Sequence, residues 1–176
     1  MAQAVDALRH GWPLAFAGGP VLLPAETAIA SGASSQLMLI SAARAATLKL
    51  ANQREAAVPH APVLIRGGEA FTLGEARAVA DPALDLACPL KGPYRAEPLE
   101  WREIATTALE LARIAGILPA FLVDPAAAGE AVPVEAGDLA HWADRAQLTI
   151  ATRARLPITA CDSAEIVAFR SVDDTR

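Results

Sequence analysis

Proton transfer, metal binding and nucleophilic attack would fall first to this chain's three histidines and two cysteines. His10, His60 and His141 never approach the close spacing that sets metal ligands on one turn or helix face. His10 beside a glycine turn and His141 beside Trp142 read as surface or helix-flank residues. Cys88 has no histidine near it in sequence and reads as a small buried residue. Cys88 and Cys161 are distant and unaccompanied, so no structural disulfide is expected and a reducing cytoplasm fits best. Gly18-Gly19 could present backbone N–H groups to an anion. The lysine and second-glycine spacing of a phosphate loop are missing, so a tight turn between short strands is expected instead. These residues imply neither a metal nor a cofactor.

The elements that must position any site follow from composition and periodicity. The chain has 176 residues and is 53% hydrophobic but only 5% aromatic, so its core is expected to be close-packed on small side chains. A net charge of -5 without a basic cluster argues against nucleic-acid or anionic-membrane partners. No apolar run is long enough for a transmembrane helix, and Asp6 and Arg9 interrupt any signal-peptide pattern.

Residues 1–10 read as a short helix, Leu14 to Ala17 and Val21 to Leu23 as strands, and Ala25 to Ala30 as a helix. Gln36 to Ile40 reads as a strand, and Ser41 as the N-cap of a helix through Leu50. Val63 to Ile65 and Phe71 to Leu73 would form a hairpin about a turn at Arg66 to Glu69, with Gly74 to Ala80 a helical turn and Lys91 to Pro98 a loop.

Leu99 to Ala115 carries Trp101, Ile104, Ala105, Ala108, Leu111, Ala112 and Ala115 at helical spacing; its alanine stripe suits either core packing or a dimer contact. Gly116 stops it, Pro119 breaks the chain, and Phe121 to Val123 is a buried strand, consistent with a βαβ-like crossover. A helix from Gly137-Asp138 to Ala146, burying Leu139 and Trp142, and strands at Leu148 to Ile150 and Ala164 to Arg170 complete the reading. The mixture predicts an α+β (mixed α/β) single domain.

Several segments resemble 3,4-dihydroxy-2-butanone-4-phosphate synthase, in that family's order. They are Ala7-Leu8-Arg9-His10-Gly11-Trp12-Pro13, Val21-Leu22-Leu23-Pro24-Ala25-Glu26-Thr27, Phe71-Thr72-Leu73-Gly74, Cys88-Pro89-Leu90 and, best of all, Thr107 to Val123. Arg153-Ala154-Arg155-Leu156-Pro157 and Glu165-Ile166-Val167-Ala168-Phe169-Arg170 resemble the first strands of GTP cyclohydrolase II. The resemblance implies a synthase-like domain over 1–150 and, over 151–176, a linker and the start of a cyclohydrolase.

The departures are specific. The family's acidic, metal-binding loop corresponds to Ala17-Gly18-Gly19, without a carboxylate, and its His-Thr-Glu helix start to Ile104-Ala105-Thr106. The family's second His falls near Leu86. Mg²⁺ needs oxygen ligands and proton transfer on a sugar phosphate needs positioned acids and bases; Ile and Ala supply neither. The three zinc-binding cysteines of GTP cyclohydrolase II are missing too, so no GTP hydrolysis is expected. By the resemblance, Glu26, Thr27 and Thr72 remain as ligand-contact candidates, although Glu26 could equally lie in a first helical turn and serve its positive end. Arg66, Arg77 and Arg95 lie where the family grips phosphate, and read as solvated surface groups. The expected function is a non-catalytic, riboflavin-biosynthesis-related domain that is homodimeric and supports a GTP cyclohydrolase II partner domain. A ligand-binding regulatory module on the old pocket is the alternative, and a divergent enzyme that recruits Glu26 would need a second polar partner.

Overall fold

The structure is a computed structural model that describes residues 1–135, 148–161 and 163–171. The chain divides into two compact units, Met1–Asp138 and Leu139–Arg176. The fold class is α+β, as expected: helices and a mixed sheet.

The first unit is organised by strands that are apolar on both faces. β1 (Leu14–Phe16), β2 (Val21–Pro24), β3 (Ser34–Ile40), β4 (Val63–Thr72), β5 (Arg95–Glu97), β6 (Ala120–Val123) and β7 (Val132–Val134) form a seven-stranded sheet in the order β5-β4-β3-β6-β2-β1-β7. β1 and β7 run parallel; the other neighbours are antiparallel. Strands alternate their side chains between faces. On β6, Phe121 and Val123 join one apolar cluster, with α1 (Ala2–Arg9) and α4 (Arg102–Ala115). Ala120 and Leu122 join the other, with α2 (Ala42–Thr47) and α3 (Leu73–Ala80). Helices on both faces explain why β6 reads as an uninterrupted apolar run.

Helix signals were read well. Ser41 caps α2 by accepting from the Arg44 N–H at 3.2 Å. Thr72 and Glu75 cap α3 with a reciprocal capping box, a role that the ligand-contact reading of Thr72 did not include. Gly116 ends α4 in the left-handed region, φ +74°. The alanine stripe of α4 is core packing: Ala105, Ala108, Ala112 and Ala115 share one buried cluster with Ala4, Ala7 and Leu8 of α1.

Five expectations are corrected. Ala25 to Ala30 is not helical. The carbonyls an α-helix would use internally are taken by Arg77, whose guanidinium donates to Ala25 O (3.3 Å), Glu26 O (3.2 Å) and Ala28 O (2.5 Å).

Residues 63–72 are not a hairpin. They form one strand whose two ends both pair with β3, and Arg66–Phe71 bulges past Gln36. Ser35 braces the bulge by donating to Val123 O and accepting from the Leu37 N–H at 3.1 Å.

Lys91 to Pro98 is not all loop, because Arg95–Glu97 pairs with β4 and Gln53 holds it, accepting from Ala96 N at 2.6 Å and donating to Tyr94 O at 3.1 Å. No parallel crossover surrounds α4: its flanking strands β5 and β6 are linked through β4 and β3 by three antiparallel pairings and so run in opposite directions. Finally, α2 ends at Thr47, short of Leu50, as Lys49 turns to φ +60°.

In the second unit, β8 (Leu148–Arg155) and β9 (Glu165–Ser171) form an antiparallel hairpin, with Ile150 opposite Phe169 and Arg155 opposite Glu165. β9 is thus a paired strand. The helix expected from Gly137 to Ala146, with His141, lies outside the described residues. No helix among the described residues is long and apolar enough to cross a membrane.

Candidate functional site

The β1–β2 turn and the start of α4 meet. A Cβ built on Gly19 would stand 2.5 Å from Ile104 Cδ1, so the Ile104 side chain occupies the space directly above this turn. Ile104 is half-buried against the α1/α4 cluster. Ala105 is fully buried, and Thr106 spends its hydroxyl inside the helix, donating to Arg102 O at 2.9 Å. The three positions at the head of α4 therefore do apolar packing and local hydrogen bonding.

Glu26 and Thr27 are adjacent and Thr72 is distant in the chain, and each serves a different part of the fold. Glu26 is exposed, and its Oε2 accepts from the Leu118 N–H at 2.5 Å, capping the turn between α4 and β6. It lies in no helical turn, so the helix-dipole role is also corrected. Thr27 donates Oγ1 to Leu8 O at 2.6 Å, satisfying a carbonyl at the end of α1. Thr72 is the N-cap of α3. Its N–H and hydroxyl both donate to Glu75 Oε2 at 2.8 Å, which lowers the Glu75 pKa. Thr72 also lines an open cleft of about 690 Å³ with Gly74, Arg77 and the loop from Ala28 to Ser34.

Removal of the Glu26 carboxylate tests its assignment. Glu26→Ala is expected to lower stability by about 1 kcal/mol through loss of one charge-assisted hydrogen bond at an exposed turn. Urea unfolding checks this, and an unchanged midpoint would show that Glu26 holds nothing.

Of the arginines expected in solvent, Arg66 pairs with Glu97 at 3.0 Å and Arg95 is exposed on β5. Arg77 buckles the Ala25–Ala28 segment instead. His10 Nδ1 donates to Asp6 O at 2.8 Å, and its ring lies 5.4 Å from that of Trp12. Cys88 is exposed, contrary to expectation, as is Cys161.

The strongest charge cluster was not anticipated. Arg44, 6% exposed, reaches Asp85 through Nη1 (2.8 Å) and Nη2 (2.6 Å) and donates Nε to Val79 O (2.5 Å). Lys91 binds the same Asp85 and donates to Ala78 O at 2.5 Å. Arg44 first, then Lys91, holds the Asp85 carboxyl well below the usual carboxylate range. Arg44 and Asp85 are 41 positions apart, and no local signal announces their pairing.

Among the described residues no group of three or more His, Cys, Asp and Glu side chains could hold a metal ion. Comparison of the chain with protein-family models, curated proteins and solved structures finds no match. The class of protein defined here is therefore that of its fold, an α+β domain with a seven-stranded mixed sheet.

Proposed function

We propose that this chain is a non-catalytic domain built on a butanone-phosphate-synthase-like frame, homodimeric, and serving as structural support for a GTP cyclohydrolase II-like partner domain. One observation carries this reading: Ile104 packs onto the Gly18-Gly19 turn, joining the two places where the family keeps its metal ligands and catalytic acid. The contact is between a methyl group and a glycine, which supports a frame without the chemistry. Glu26, Thr27 and Thr72 add support, since each spends its polar group on the fold.

A second reading rests on the cleft that Arg77 and Gly74 line beside Thr72, a place for a metabolite bound without turnover. Titration calorimetry with ribulose 5-phosphate, with and without Mg²⁺, followed by an assay for formate, decides between them. Neither heat nor formate is expected. Heat without formate would favour the regulatory module. Formate would overturn the loss of catalysis. Light scattering on the same sample is expected to give a dimer mass, and a monomer would remove dimerisation from the proposal.

A further inference from the structure

A cavity of about 400 Å³ lies between the bulge of β4, α3 and the loop from Cys88 to Tyr94. Its size is that of a small-molecule site, which spans roughly 300–1,000 Å³. The outer wall is braced in place. Lys91 ties the loop to Ala78 O and to Asp85, which the buried Arg44 grips in turn. Gln53 fixes the far end through Tyr94 O and Ala96 N.

Phe71 and Tyr94 line the cavity with their ring centroids 5.8 Å apart. Phe71 is a core residue that backs the cavity wall, packed so closely under the bulge that a Cβ on Gly67 would come within 3.2 Å of its ring. The charged wall is one-sided. Lys91 turns its ammonium onto Asp85 and Ala78 O, whereas Glu69 lines the cavity from an exposed position and Glu75, whose Oε2 takes both Thr72 donors, adds its negative charge beside it.

We propose that this cavity binds a small, flat, cationic nitrogen heterocycle, stacked on Tyr94 and held by the carboxylate of Glu69, with the charge of Glu75 beside it. Aromatic faces attract cations through the ring quadrupole, and carboxylates reject an anion of the same shape. Tyr94 fits this role. Burial first, and then the Glu75 charge, push its phenol upward, so it stays neutral through the physiological range. Neither the synthase resemblance nor the loss of catalysis is needed for this site.

The molecule carries its own reporter. Cys88 lines the cavity and is exposed, and Cys161, also exposed, lies in the other unit as an internal control. The full chain is alkylated with iodoacetamide with and without proflavine, a cationic tricyclic dye, and each thiol is read by peptide mass spectrometry. Proflavine is expected to slow Cys88 saturably and leave Cys161 unchanged, while anthracene carboxylate protects neither. Gly68→Trp fills the cavity from a position where an added Cβ meets nothing within 4 Å, and should abolish the protection without unfolding the chain. Glu69→Gln should weaken it roughly threefold, one exposed charge's worth. Absence of saturable protection, equal protection by anthracene carboxylate, or protection that survives in a folded Gly68→Trp chain overturns the site.

Discussion

Replacing Gly11 with alanine is expected to remove about 3 kcal/mol of folding stability and to lower the melting temperature by roughly 10 °C. Two separate costs add. Gly11 sits at φ +75°, where an L side chain costs about 1–2 kcal/mol. The added Cβ would also stand 2.3 Å from Thr27 O and 2.9 Å from Ala28 Cα, both backbone atoms that no rotamer change can move. Overpacking of that kind adds about 1–3 kcal/mol. Thr27 is already tied to α1 through Leu8 O, so the strain enters the segment that carries two of the three ligand-contact candidates.

Gly18→Ala is the control. Gly18 has φ +70° but its Cβ would meet nothing within 4 Å, so it should lose only the conformational part, about 1 kcal/mol. Thermal melts of both variants, followed by circular dichroism, measure the difference. Equal losses would mean that the chain relaxes around residue 11 and that the Gly11–Thr27 contact is soft.

The same contrast marks what the sequence could reveal. Periodicity and capping chemistry are local, and they located α1, α3, α4 and the strands of the sheet's centre to within a few residues. Gly116 and Ser41 act within one helical turn of themselves, so their roles could be read from neighbours, whereas the equally local capping role of Thr72 was passed over for ligand contact.

The errors arose where a distant side chain overrode local preference. Ala25 to Ala30 has the composition of a helix, yet a guanidinium about fifty residues on claims its carbonyls. Gly67-Gly68 has the composition of a turn, yet β3 pairs with the strand on both sides of it, and the glycines bulge instead. β5 and β7 are three-residue strands, created by neighbours that offer unpaired edges rather than by their own pattern.

The candidate site was half legible. That the Gly18-Gly19 turn lacks carboxylates is evident from residue types alone. That Ile104 lies on it is a contact across about 85 residues of chain, and only the fold displays it. Glu26 illustrates the converse. Its residue type suggested acid–base chemistry, but its partner is the N–H of Leu118, 92 residues away, and a carboxylate held there serves as a cap.

Arg44→Met should be as damaging as Gly11→Ala, through charge rather than shape. Methionine keeps the unbranched stem and suits a helix, so the loss isolates the guanidinium. What remains is a Val79 carbonyl without its donor and an Asp85 carboxylate held by Lys91 alone. Leaving the buried Val79 carbonyl without its donor costs about 1–3 kcal/mol. Asp85 keeps 41% of its side chain exposed and recovers water, so the broken pair adds to that loss without dominating it.

The pH dependence separates the ion pair from the carbonyl contacts. The folded pKa of Asp85 is depressed, so its pairing contributes fully above the unfolded value of about 3.9 and is lost as pH falls through the folded value. With Arg44 gone, the larger of the two causes of that depression is gone, and the loss begins nearer to pH 4. The difference in urea stability between the parent chain and Arg44→Met should therefore be widest near neutrality and narrow in acid. Glu75 also titrates there, but its partner is Thr72 in both proteins and cancels from the difference. A gap that stayed constant into acid would assign the whole effect to the bonds with Val79 O and Ala78 O. The Asp85 bridge would then be a surface pair of little energetic weight, and Lys91 alone would brace the cavity wall.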